Sequence, residues 1–472
     1  MQEPARIAID LGAESCRVSL LRFLDGRPSI EVIHRLPNGP AHSGFSLRWP
    51  LATILGGLEE GLHKAAAAAP EGIASIAVDG WAVDYVRLGA DGLPLADPFC
   101  YRDERNIAAK AAADLLVPPE MLFRRSGAQP LRINSVYQLC ADPSSGIDPL
   151  APWVNFPEYI LHWLGAPRVA EYTNATHTGL VDIATGNWAP DLFAQLGLSL
   201  DAAPPIVPSG ANLGPLQGPL AALDAFKDTV LIAPACHDTA SAIAAISTSL
   251  DATAYICSGT WSLVGTLVDT PIVTPEAMAA RYTNQGAASG NYCFHTNVNG
   301  MWLIKQCMDA WAAQGRPWTI EDLVQKAASC DAPAGTIDVD ADPLMLDGDM
   351  PARINTELEK RGLAPIADQP GNEPVFARLI FESLAARYAT ALDHLEQMLG
   401  RKLARIHILG GGSRNQLLTR LTGERTGLPV ETGHPEGSTI GNFAVQLAAS
   451  DANGKPLDPV ALRNWARVLC EC

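Results

Sequence analysis

The alternation of apolar and polar positions near the start of the chain predicts a β-hairpin. Arg6-Ile7-Ala8-Ile9 is a β-prone run, and residues 18–23 alternate as a half-buried strand does. Between these runs lies the turn Asp10-Leu11-Gly12-Ala13. Gly12 permits close approach of a ligand to the backbone and Asp10 ends the first strand, so the turn suits an anion or a hydrated Mg²⁺. An ordinary polar hairpin has the same pattern.

A second hairpin of the same kind is predicted just past the middle of the chain. Residues 253–257 form an apolar run that leads into Ser258-Gly259-Thr260, and residues 261–265 lead away from it. The hydroxyl groups of this turn, together with free backbone amides, suit phosphate oxygens. The recurrence indicates one structural unit used twice, with a phosphate group held between the copies.

Helical periodicity predicts two further elements, and a glycine-rich turn follows the second. Residues 238–246 are predicted to form a helix with polar residues at its start, and residues 374–399 a long helix that ends at a glycine. A strand over 404–409 then leads into Gly410-Gly411-Gly412-Ser413-Arg414-Asn415 and another helix. Three glycines there let the backbone lie against a planar or phosphorylated ligand, although a tight turn without a ligand is the alternative. The spacing differs from Gly-x-Gly-x-x-Gly, which disfavours a nicotinamide enzyme.

Length and composition indicate the number of domains and the cellular compartment. With 472 residues the chain exceeds what one core usually holds, so two domains are expected, 1–247 and 248–472, joined near residues 247–251. Ten cysteines are scattered without a Cys-x-x-Cys pair, which argues against a zinc site or a disulfide framework and favours a reducing cytoplasm. The closing Cys470-Glu471-Cys472 is expected to be a frayed tail.

The net charge of −17 excludes some classes of partner. Nucleic-acid phosphates are held mainly by Lys and Arg, so a nucleic-acid binder is not expected. A small phosphorylated ligand stays compatible, because local amides and a metal can meet its charge. Without a long apolar stretch or a signal-peptide pattern, neither a membrane span nor secretion is expected.

Several motifs, in order along the chain, resemble the FGGY family of carbohydrate kinases. The resemblance extends over nearly the whole chain, from the first turn to Ser438-Thr439-Ile440-Gly441-Asn442. Its most specific segments are Val78-Asp79-Gly80-Trp81-Ala82-Val83-Asp84-Tyr85, Tyr101-Arg102-Asp103-Glu104-Arg105, Glu171-Tyr172-Thr173-Asn174-Ala175-Thr176, Cys236-His237-Asp238-Thr239-Ala240-Ser241, Ser258-Gly259-Thr260-Trp261-Ser262-Leu263 and Gly410-Gly411-Gly412-Ser413-Arg414-Asn415.

The resemblance implies an α/β fold of two actin-like (ribonuclease H-like) ATPase domains with a cleft between them. It also implies an enzyme that transfers the γ-phosphate of ATP to a hydroxyl of a ketose, with ATP and Mg²⁺ as cofactors. L-Rhamnulose, converted to its 1-phosphate, is the ketose it favours, and L-fuculose or a pentulose are alternatives. The expected partners are a small sugar and ATP, with no nucleic acid and no membrane, for a cytoplasmic monomer or homodimer.

Phosphoryl transfer to a sugar needs a carboxylate that accepts the hydroxyl proton. The family's proton acceptor matches Asp238, although its residue type and position alone favour a helix cap. Trp81 would offer a flat face to the sugar, yet a strand Trp is more often core. The resemblance places the sugar near Gly80, Trp81, Ala82, Asp84, Arg102, His237, Asp238 and Thr239, with Asp103 and Arg105 on the same loop as Arg102.

The nucleotide side of the implied site draws on both halves of the chain. Asp10 would organise Mg²⁺ through water, and Gly411 is the best single candidate against the nucleotide. An Asn on a loop, as expected for Asn297, is otherwise commonly a turn former. The residues implied in binding ATP and its phosphates are Gly12, Ala13, Glu14, Ser15, Cys16, Arg17, Thr260, Asn297, Lys305, Gly411, Gly412 and Asn415.

Four positions depart from the family pattern. Glu14 and Cys16 stand where the phosphate turn usually has small residues, and a carboxylate at Glu14 would repel phosphate unless it faced outward or paired with Arg17. Ala82 replaces a glycine beside the sugar, and one added methyl group is enough to alter a tight pocket. Lys305 replaces a glutamine on the ATP side. These changes leave the identity of the sugar open.

Two other functions remain possible from the sequence. One keeps the fold without catalysis, as a sugar-sensing or nucleotide-sensing protein; retention of Asp238 argues against it. The other is an actin-like or chaperone-like ATPase that acts without a sugar, which would need a peptide-binding or polymerising appendage. For a kinase, closure of the two domains is expected on sugar binding, with movement near residues 247–251 and in a returning segment.

Overall fold

Two six-stranded sheets, one in each half of the chain, form the centre of the molecule. The computed structural model describes residues 3–248 and 251–471. Its strands are β1 (Ala5–Leu11), β2 (Ser15–Leu24), β3 (Arg27–Pro37), β4 (Ala41–Ser43), β5 (Ser46–Arg48), β6 (Ile73–Gly80), β7 (Tyr85–Arg87), β8 (Trp153–Asn155), β9 (Ala170–Glu171), β10 (Val181–Asp182), β11 (Asn187–Trp188), β12 (Ile206–Val207), β13 (Asn212–Pro215), β14 (Val230–Ile232), β15 (Thr253–Ser258), β16 (Trp261–Val268), β17 (Tyr282–Gly286), β18 (Tyr292–Asn299), β19 (Arg405–Leu409) and β20 (Val430–Thr432).

Helices cover the sheets and connect their strands. They are α1 (Leu51–Ala68), α2 (Arg105–Leu116), α3 (Pro119–Ser126), α4 (Ser135–Ala141), α5 (Phe156–Trp163), α6 (Tyr172–Ala175), α7 (Pro190–Leu196), α8 (Asp238–Ala244), α9 (Pro275–Ala279), α10 (Trp302–Ala313), α11 (Ile320–Ala328), α12 (Met350–Lys360), α13 (Glu373–Leu399), α14 (Gln416–Thr426), α15 (Gly437–Ala452) and α16 (Pro459–Cys470). Among the residues described, none of these helices combines the length and apolar character that crossing a membrane requires.

The first sheet has the strand order β13-β14-β6-β1-β2-β3. β1, β2 and β3 form an antiparallel meander, and β6 and β14 continue the sheet parallel to β1. Ile7 and Ile9 of β1 join the apolar core on one face, while the small Ala8 joins the core that α15 forms on the other. Both faces of β1 are therefore buried, as expected for a strand covered by helices on each side.

The second sheet repeats this plan in the order β17-β18-β16-β15-β19-β20. β15, β16 and β18 are antiparallel neighbours, and β19 and β20 run parallel to β15. Each sheet thus joins three antiparallel strands to two parallel strands. It adds one outer strand, which is β13 beside β14 in the first sheet and β17 beside β18 in the second. The two hairpins predicted a structural unit that is used twice, and what repeats is the topology of the sheet. The part of the molecule built on each sheet is called its lobe below.

Helix α15 returns from the second half of the chain to the first lobe, where it packs on β1, β6 and α8. Ser438, Asn442 and Gln446 follow one another at four-residue spacing, so they lie on one face of the helix. Gln446 shows how this face is held: its Nε2 donates to the carbonyl of Ile7 at 3.0 Å, and its Oε1 accepts from Ser75 Oγ at 2.6 Å. The predicted returning segment is α15, and α16 packs against it.

The predicted hairpins and helices are present, with some ends displaced. Asp10 is the sixth residue of β1, so the first turn itself comprises residues 12–14. The helix that begins at Asp238 ends at Ala244, two residues earlier than predicted. The long helix ends as predicted, because Gly400 adopts the left-handed conformation with φ of 63°.

Two expectations fall partly on residues outside the described ranges. The joint predicted at 247–251 includes residues 249–250, so the division into domains 1–247 and 248–472 stays a prediction. The expected frayed tail is wrong for Cys470, because α16 extends to this residue and its thiol contacts the carbonyl of Ala245. Cys472 lies outside the described residues.

Gly441 lies directly against α8, and its substitution tests the crossing of α15 and α8. A methyl group at Gly441 would overlap the carbonyl oxygen of Ser241, whereas one at Gly437 would meet Ala242 Cβ at 3.5 Å, an ordinary contact. We expect Gly441→Ala to lower the free energy of unfolding by about 1–3 kcal/mol, because the helices must separate. Gly437→Ala, the matched control, should stay within about 0.5 kcal/mol of wild type. Equal melting temperatures of the two variants by circular dichroism would contradict this.

Candidate active site

Asp10 lies at the end of β1 and is already paired. In the β1–β2 hairpin it stands directly opposite Arg17, whose Nη2 donates to Asp10 Oδ2 at 2.6 Å. The same oxygen accepts from Ser438 Oγ of α15, also at 2.6 Å. Arg17 forms a second ion pair with Glu436, just before α15. Arg17 therefore connects the first turn to the returning helix. The alternative expectation, that Arg17 pairs with Glu14, is wrong.

Asp238 is the first residue of α8 and lies near the end of β6. Its Oδ1 accepts from the backbone N of Thr239 at 2.5 Å and from Thr239 Oγ1 at 3.2 Å. Its Oδ2 makes no hydrogen bond with any described residue, and 37% of the side chain is exposed. Desolvation and the negative charge of Asp10 raise the pKa of Asp238 to about 7. One carboxylate oxygen is thus held in place, and the other is free to accept a proton.

Asp79 is a third carboxylate at this edge of the sheet, and it was missed as a site residue. It is directly beside Asp10 in the parallel β1–β6 ladder and is fully buried. Asn442 Nδ2 donates to its Oδ2 at 2.6 Å, while its Oδ1 has no partner among the described residues. Desolvation, together with the charges of Asp10 and Asp238, raises the pKa of Asp79 well above its usual range.

His237 is neutral and buried beside Asp238. Its Nε2 lies 3.3 Å from Asp238 Oδ1, and its ring packs on that of His177 with 3.9 Å between centroids. Burial lowers the pKa of His237 to about 3 and that of His177 well below its usual range. Because neither ring carries a charge near neutral pH, His237 approaches Asp238 as a dipole and does not form an ion pair with it.

The segment predicted to contact the sugar leaves β6 at Gly80. A methyl group at Gly80 would overlap the side chain of Leu11, so this glycine is also required by packing. Val83 has φ of 72°, a left-handed conformation that is strained for a β-branched residue. Its carbonyl oxygen accepts from Ser135 Oγ at 2.6 Å and from Gln138 Nε2 at 3.0 Å. Hydrogen bonds from α4 thus hold the strained loop.

Trp81 does not offer a free ring face. The centroid of its ring lies 4.3 Å from that of Trp49 and 4.7 Å from that of Phe156. In each pair the two ring planes are tilted relative to one another. Two rings at such short distances cannot both lie on one face of Trp81, so both of its faces are covered. The expectation that this face stacks against a sugar is therefore wrong. What remains at this position is the backbone of Trp81 and Ala82 next to the strained residue.

Asp84 anchors this segment from within the core. Its carboxylate is fully buried and accepts from Trp49 Nε1 at 2.6 Å, Trp81 Nε1 at 3.0 Å and Gln138 Nε2 at 3.1 Å. Desolvation raises the pKa of Asp84 to about 6, although these three donors favour the charged form. Asp84 therefore orders the loop, and its direct contact with a sugar is not supported by this geometry.

The loop after β7 divides its charged residues between the surface and the interior. Arg102 is exposed and its Nε donates to Tyr101 Oη at 3.2 Å. Asp103 is buried and accepts from the backbone amides of Leu47 and Arg105, at 2.6 and 2.9 Å. Arg105 points into the first lobe and away from this loop's exposed side. Only Arg102 keeps a free cation on the exposed side.

Three candidates from the second lobe are open to solvent. Thr260 is half-buried, and its hydroxyl makes no hydrogen bond with any described residue. Asn297 is exposed within β18, so the expectation of a loop position is wrong. Lys305 on α10 pairs with Asp309 at 2.9 Å, which raises the pKa of Lys305, and the charge of Glu14 in the first lobe contributes.

The glycine-rich turn after β19 has one open and one closed position. A methyl group at Gly412 would overlap Ser258 Oγ, whereas one at Gly411 would meet nothing within 4 Å. Gly412 is thus needed for close approach to the second hairpin, and Gly411 presents open backbone. Asn415 caps α14 by accepting from Leu418 N at 3.0 Å, and its Nδ2 is buried without a partner among the described residues.

The first turn presents its backbone and one hydroxyl, not its two atypical side chains. Glu14 is exposed, which agrees with the expectation that its carboxylate faces outward. Cys16 is buried in the core, where desolvation raises the pKa of its thiol to about 12, so its side chain does not face an anion. Gly12, Ala13 and Ser15 are half-buried along the same stretch.

The donor set near Asp10 fits a hard cation that brings most of its own ligands. Among the described residues, no three His, Cys, Asp or Glu side chains are placed to hold a metal by themselves. The unpaired oxygen of Asp79 and the raised pKa of Asp238 both indicate excess negative charge, which a cation would offset. Mg²⁺ usually keeps waters and binds through one or two carboxylates and substrate phosphates.

Comparison with known families matches both halves of the chain. The N-terminal domain model of the FGGY family of carbohydrate kinases matches residues 6–245, and its C-terminal domain model matches 254–450. A rhamnulokinase from Bacteroides thetaiotaomicron is 34% identical over 442 residues, covering 93% of this chain and 89% of the relative. A rhamnulokinase from Enterococcus faecalis is 32% identical over 452 residues, covering 94% and 89%.

Solved structures share the fold at low sequence identity. A xylulose kinase from Lactobacillus acidophilus superposes with a TM-score of 0.76 at 16% identity, covering 98% of this chain and 96% of the other. Plasmodium falciparum glycerol kinase with ADP has a TM-score of 0.73 at 13% identity, covering 97% and 92%. The predicted fold of two actin-like ATPase domains is confirmed.

The pKa of Asp238 has a consequence for stability that does not depend on catalysis. Between about pH 4 and pH 7 the native carboxyl keeps a proton that the unfolded chain has lost, so this group destabilises the fold progressively as pH rises through that window. We expect Asp238→Asn to raise the melting temperature above wild type at pH 8, and by much less at pH 4. For Asp201→Asn, an exposed loop carboxylate, the difference from wild type should not change with pH. Equal gains for Asp238→Asn at both pH values would refute the assignment.

Proposed function

Because this chain belongs to the FGGY family of carbohydrate kinases, we propose that it phosphorylates L-rhamnulose at the expense of ATP, with Asp238 as the proton acceptor. Transfer of phosphate from ATP to a sugar hydroxyl is the activity of the family. L-Rhamnulose is supported by the two rhamnulokinases that are more than 30% identical over nearly the whole chain. The observation that carries the role of Asp238 is its free Oδ2 beside the acidic end of β1.

Asp238 would accept the proton of the attacking hydroxyl as the oxygen bonds to phosphorus. With its pKa at about 7, the carboxylate is half ionised at neutral pH and matched to the proton it takes. Only the ionised form can act as the base, so turnover rises as pH increases through 7. Thr239 fixes Oδ1 through its amide and hydroxyl, which aims Oδ2 at the substrate.

The sugar would lie between α8 and the strained loop. His237, held neutral by burial, can hydrogen-bond a sugar hydroxyl without competing as a charge for Asp238. The backbone at Trp81 and Ala82 is fixed from below by Asp84 and α4, so it forms a rigid wall. Arg102 is the exposed cation on the same side. A rigid wall favours one sugar shape, since it cannot adjust to another.

The nucleotide would lie across the two hairpins and the glycine-rich turn. Amides from Ala13 to Ser15 and the free hydroxyl of Thr260 would face the phosphates from opposite lobes. Gly12, whose own amide donates to the carbonyl of Ser15 at 3.1 Å, would allow the phosphate to approach the backbone closely. Mg²⁺, held by Asp10 through water, neutralises phosphate charge when bound. Gly411 offers open backbone to the nucleoside, and the unpartnered Nδ2 of Asn415 lies four residues further along. We place the enzyme in the cytoplasm, where ATP is available, as a monomer or homodimer.

A screen of ketoses with ATP tests the proposed substrate. We expect L-rhamnulose to give the highest kcat/KM, above L-fuculose, L-ribulose and D-xylulose, in an assay coupled to ADP release. Asp238→Asn should lower kcat by about 10²- to 10⁴-fold, the usual contribution of a general base, without unfolding the protein. Asp201→Asn is the matched control and should keep wild-type turnover.

The outcomes of this screen separate the alternatives. A higher kcat/KM for another ketose would replace L-rhamnulose and keep the kinase. ADP release that no ketose increases would indicate a sensor or a sugar-independent ATPase. Near-wild-type turnover of Asp238→Asn would contradict the role of Asp238.

Substitutions at two adjacent glycines, Gly411 and Gly412, should separate an effect on nucleotide binding from an effect on packing. We expect Gly411→Ala to raise KM for ATP while leaving the melting temperature within about 1 °C, because a methyl group there meets only the bound nucleotide. Gly412→Ala should lower the melting temperature by several degrees, because its methyl group would overlap Ser258. An unchanged KM for ATP in Gly411→Ala would place the nucleotide elsewhere.

A further inference from the structure

A cavity of about 460 Å³ lies in the first lobe, separate from the cleft that contains Asp10 and Asp238. Neither of these carboxylates lines it. Its walls come from β5, β7, the loop around Phe99, the start of α2 and the end of α4. The lining residues that matter are Arg48, Arg87, Phe99, Arg105, Gln138 and Asp142. Of these residues, the proposed kinase mechanism uses only Gln138, which supports the sugar loop.

Three guanidinium groups line this cavity, and two of them bind its one buried carboxylate, Asp142. Arg87 Nε and Arg105 Nη1 donate to the two oxygens of Asp142, at 2.8 and 2.7 Å. Arg48 has no carboxylate partner among the described residues, and its guanidinium donates only to the backbone carbonyl of Asp97. Positive charge therefore exceeds negative charge inside the cavity, in a chain whose net charge is −17.

The other two carboxylates of the lining lie at its rim. Asp97 and Asp148 are exposed, and each accepts from a nearby backbone amide, those of Leu51 and Leu150, at 3.2 and 2.9 Å. Exposed carboxylates are screened by water, so they offset the buried cations only weakly.

Two of the guanidinium groups are held in place and still have unused donors. Arg48 and Arg105 lie 3.7 and 3.5 Å from the centroid of the Phe99 ring, which requires them to cover its opposite faces. The Arg105 side chain is more than nine-tenths buried, and its Nε has no hydrogen-bond partner among the described residues. Desolvation and then the charge of Arg105 lower the pKa of Arg48, and the charges of Asp97, Asp103 and Asp142 offset this only in part. An anion would relieve the repulsion between Arg48 and Arg105.

We propose that this cavity binds a small organic phosphate. Guanidinium groups recognise oxyanions through paired N–H donors, and a phosphate dianion matches the excess of cations over the single buried carboxylate. The volume exceeds that of inorganic phosphate alone, and the apolar side chains of Leu95, Pro98 and Ile147 can contact a compact organic body.

The site shares a wall with the sugar loop. Gln138 lines the cavity and donates to the carbonyl of Val83 and to Asp84 Oδ1, at 3.0 and 3.1 Å. A phosphate ester bound there would therefore restrict the same side chain that holds the strained loop. Its effect on the kinase is expected in KM for the sugar, because Gln138 supports the sugar wall and does not touch Asp238.

Isothermal titration with glycerol 3-phosphate tests the site. The full-length protein is first saturated with Mg²⁺ and a non-hydrolysable ATP analogue, so that the phosphate positions of the cleft are filled. We expect wild type to bind one equivalent, and Arg48→Gln to weaken this binding at least tenfold. Arg420→Gln, which removes an exposed arginine paired with Glu424 on α14, is the matched control and should bind as wild type does.

Two further probes define the ligand class. Inorganic phosphate should bind more weakly than glycerol 3-phosphate, and succinate should not compete with it. Arg48→Gln should also keep wild-type kcat, because Arg48 lies outside the catalytic cleft, and should lose any effect of glycerol 3-phosphate on KM for the sugar. The proposal is overturned if wild type does not bind glycerol 3-phosphate, if Arg48→Gln binds it equally well, or if succinate binds in preference.

Discussion

Repulsion among three carboxylates at one edge of the first sheet is the constraint on which the site depends. Asp10 and Asp79 are neighbours in the β1–β6 ladder, and Asp238 begins the helix that faces them. Burial and the charge of a neighbouring carboxylate both favour the protonated form of a carboxyl group. The pKa of Asp238 and that of Asp79 are both raised for this reason. The near-neutral pKa of the proposed base, Asp238, is thus a product of burial and of the charge of Asp10.

The fold limits this repulsion with polar groups from the far end of the chain. Ser438 binds Asp10 and Asn442 binds Asp79, and both come from the polar face of α15. Arg17 reaches Glu436 just before the same helix. Because these partners belong to the second family domain, the acidic edge of the first lobe is complete only when the C-terminal segment has packed on it. The crossing of α8 and α15, at which α8 also contacts β15 of the second lobe, is therefore both a structural and a chemical junction.

Local pattern predicted much of the fold, and long-range contact explains what it did not predict. The hairpins, α13 and the glycine-rich turn are visible because periodicity, turn residues and caps act within a few positions. The ion pair of Asp10 with Arg17 was also within reach, since a turn closed by Gly12 and Ser15 places the two opposite each other. The partner of Asp79, Asn442, lies 363 positions away, and no local signal marks it. The prediction of a free ring face at Trp81 was wrong for the same reason, because Trp49 and Phe156 cover its faces from other elements.

The two copies of the duplicated hairpin have become chemically different, and this difference gives the cleft its direction. The first strand ends in a carboxylate tied to an arginine, whereas the corresponding strand of the second lobe ends in Ser258, followed by the free hydroxyl of Thr260. Two acidic hairpins facing each other would repel both one another and a phosphate. In the proposed mechanism, one acidic hairpin that recruits a cation, opposite one neutral hairpin that donates hydrogen bonds, would hold the same phosphate from two sides. Duplication thus supplies the cleft, and loss of symmetry makes it suitable for phosphoryl transfer.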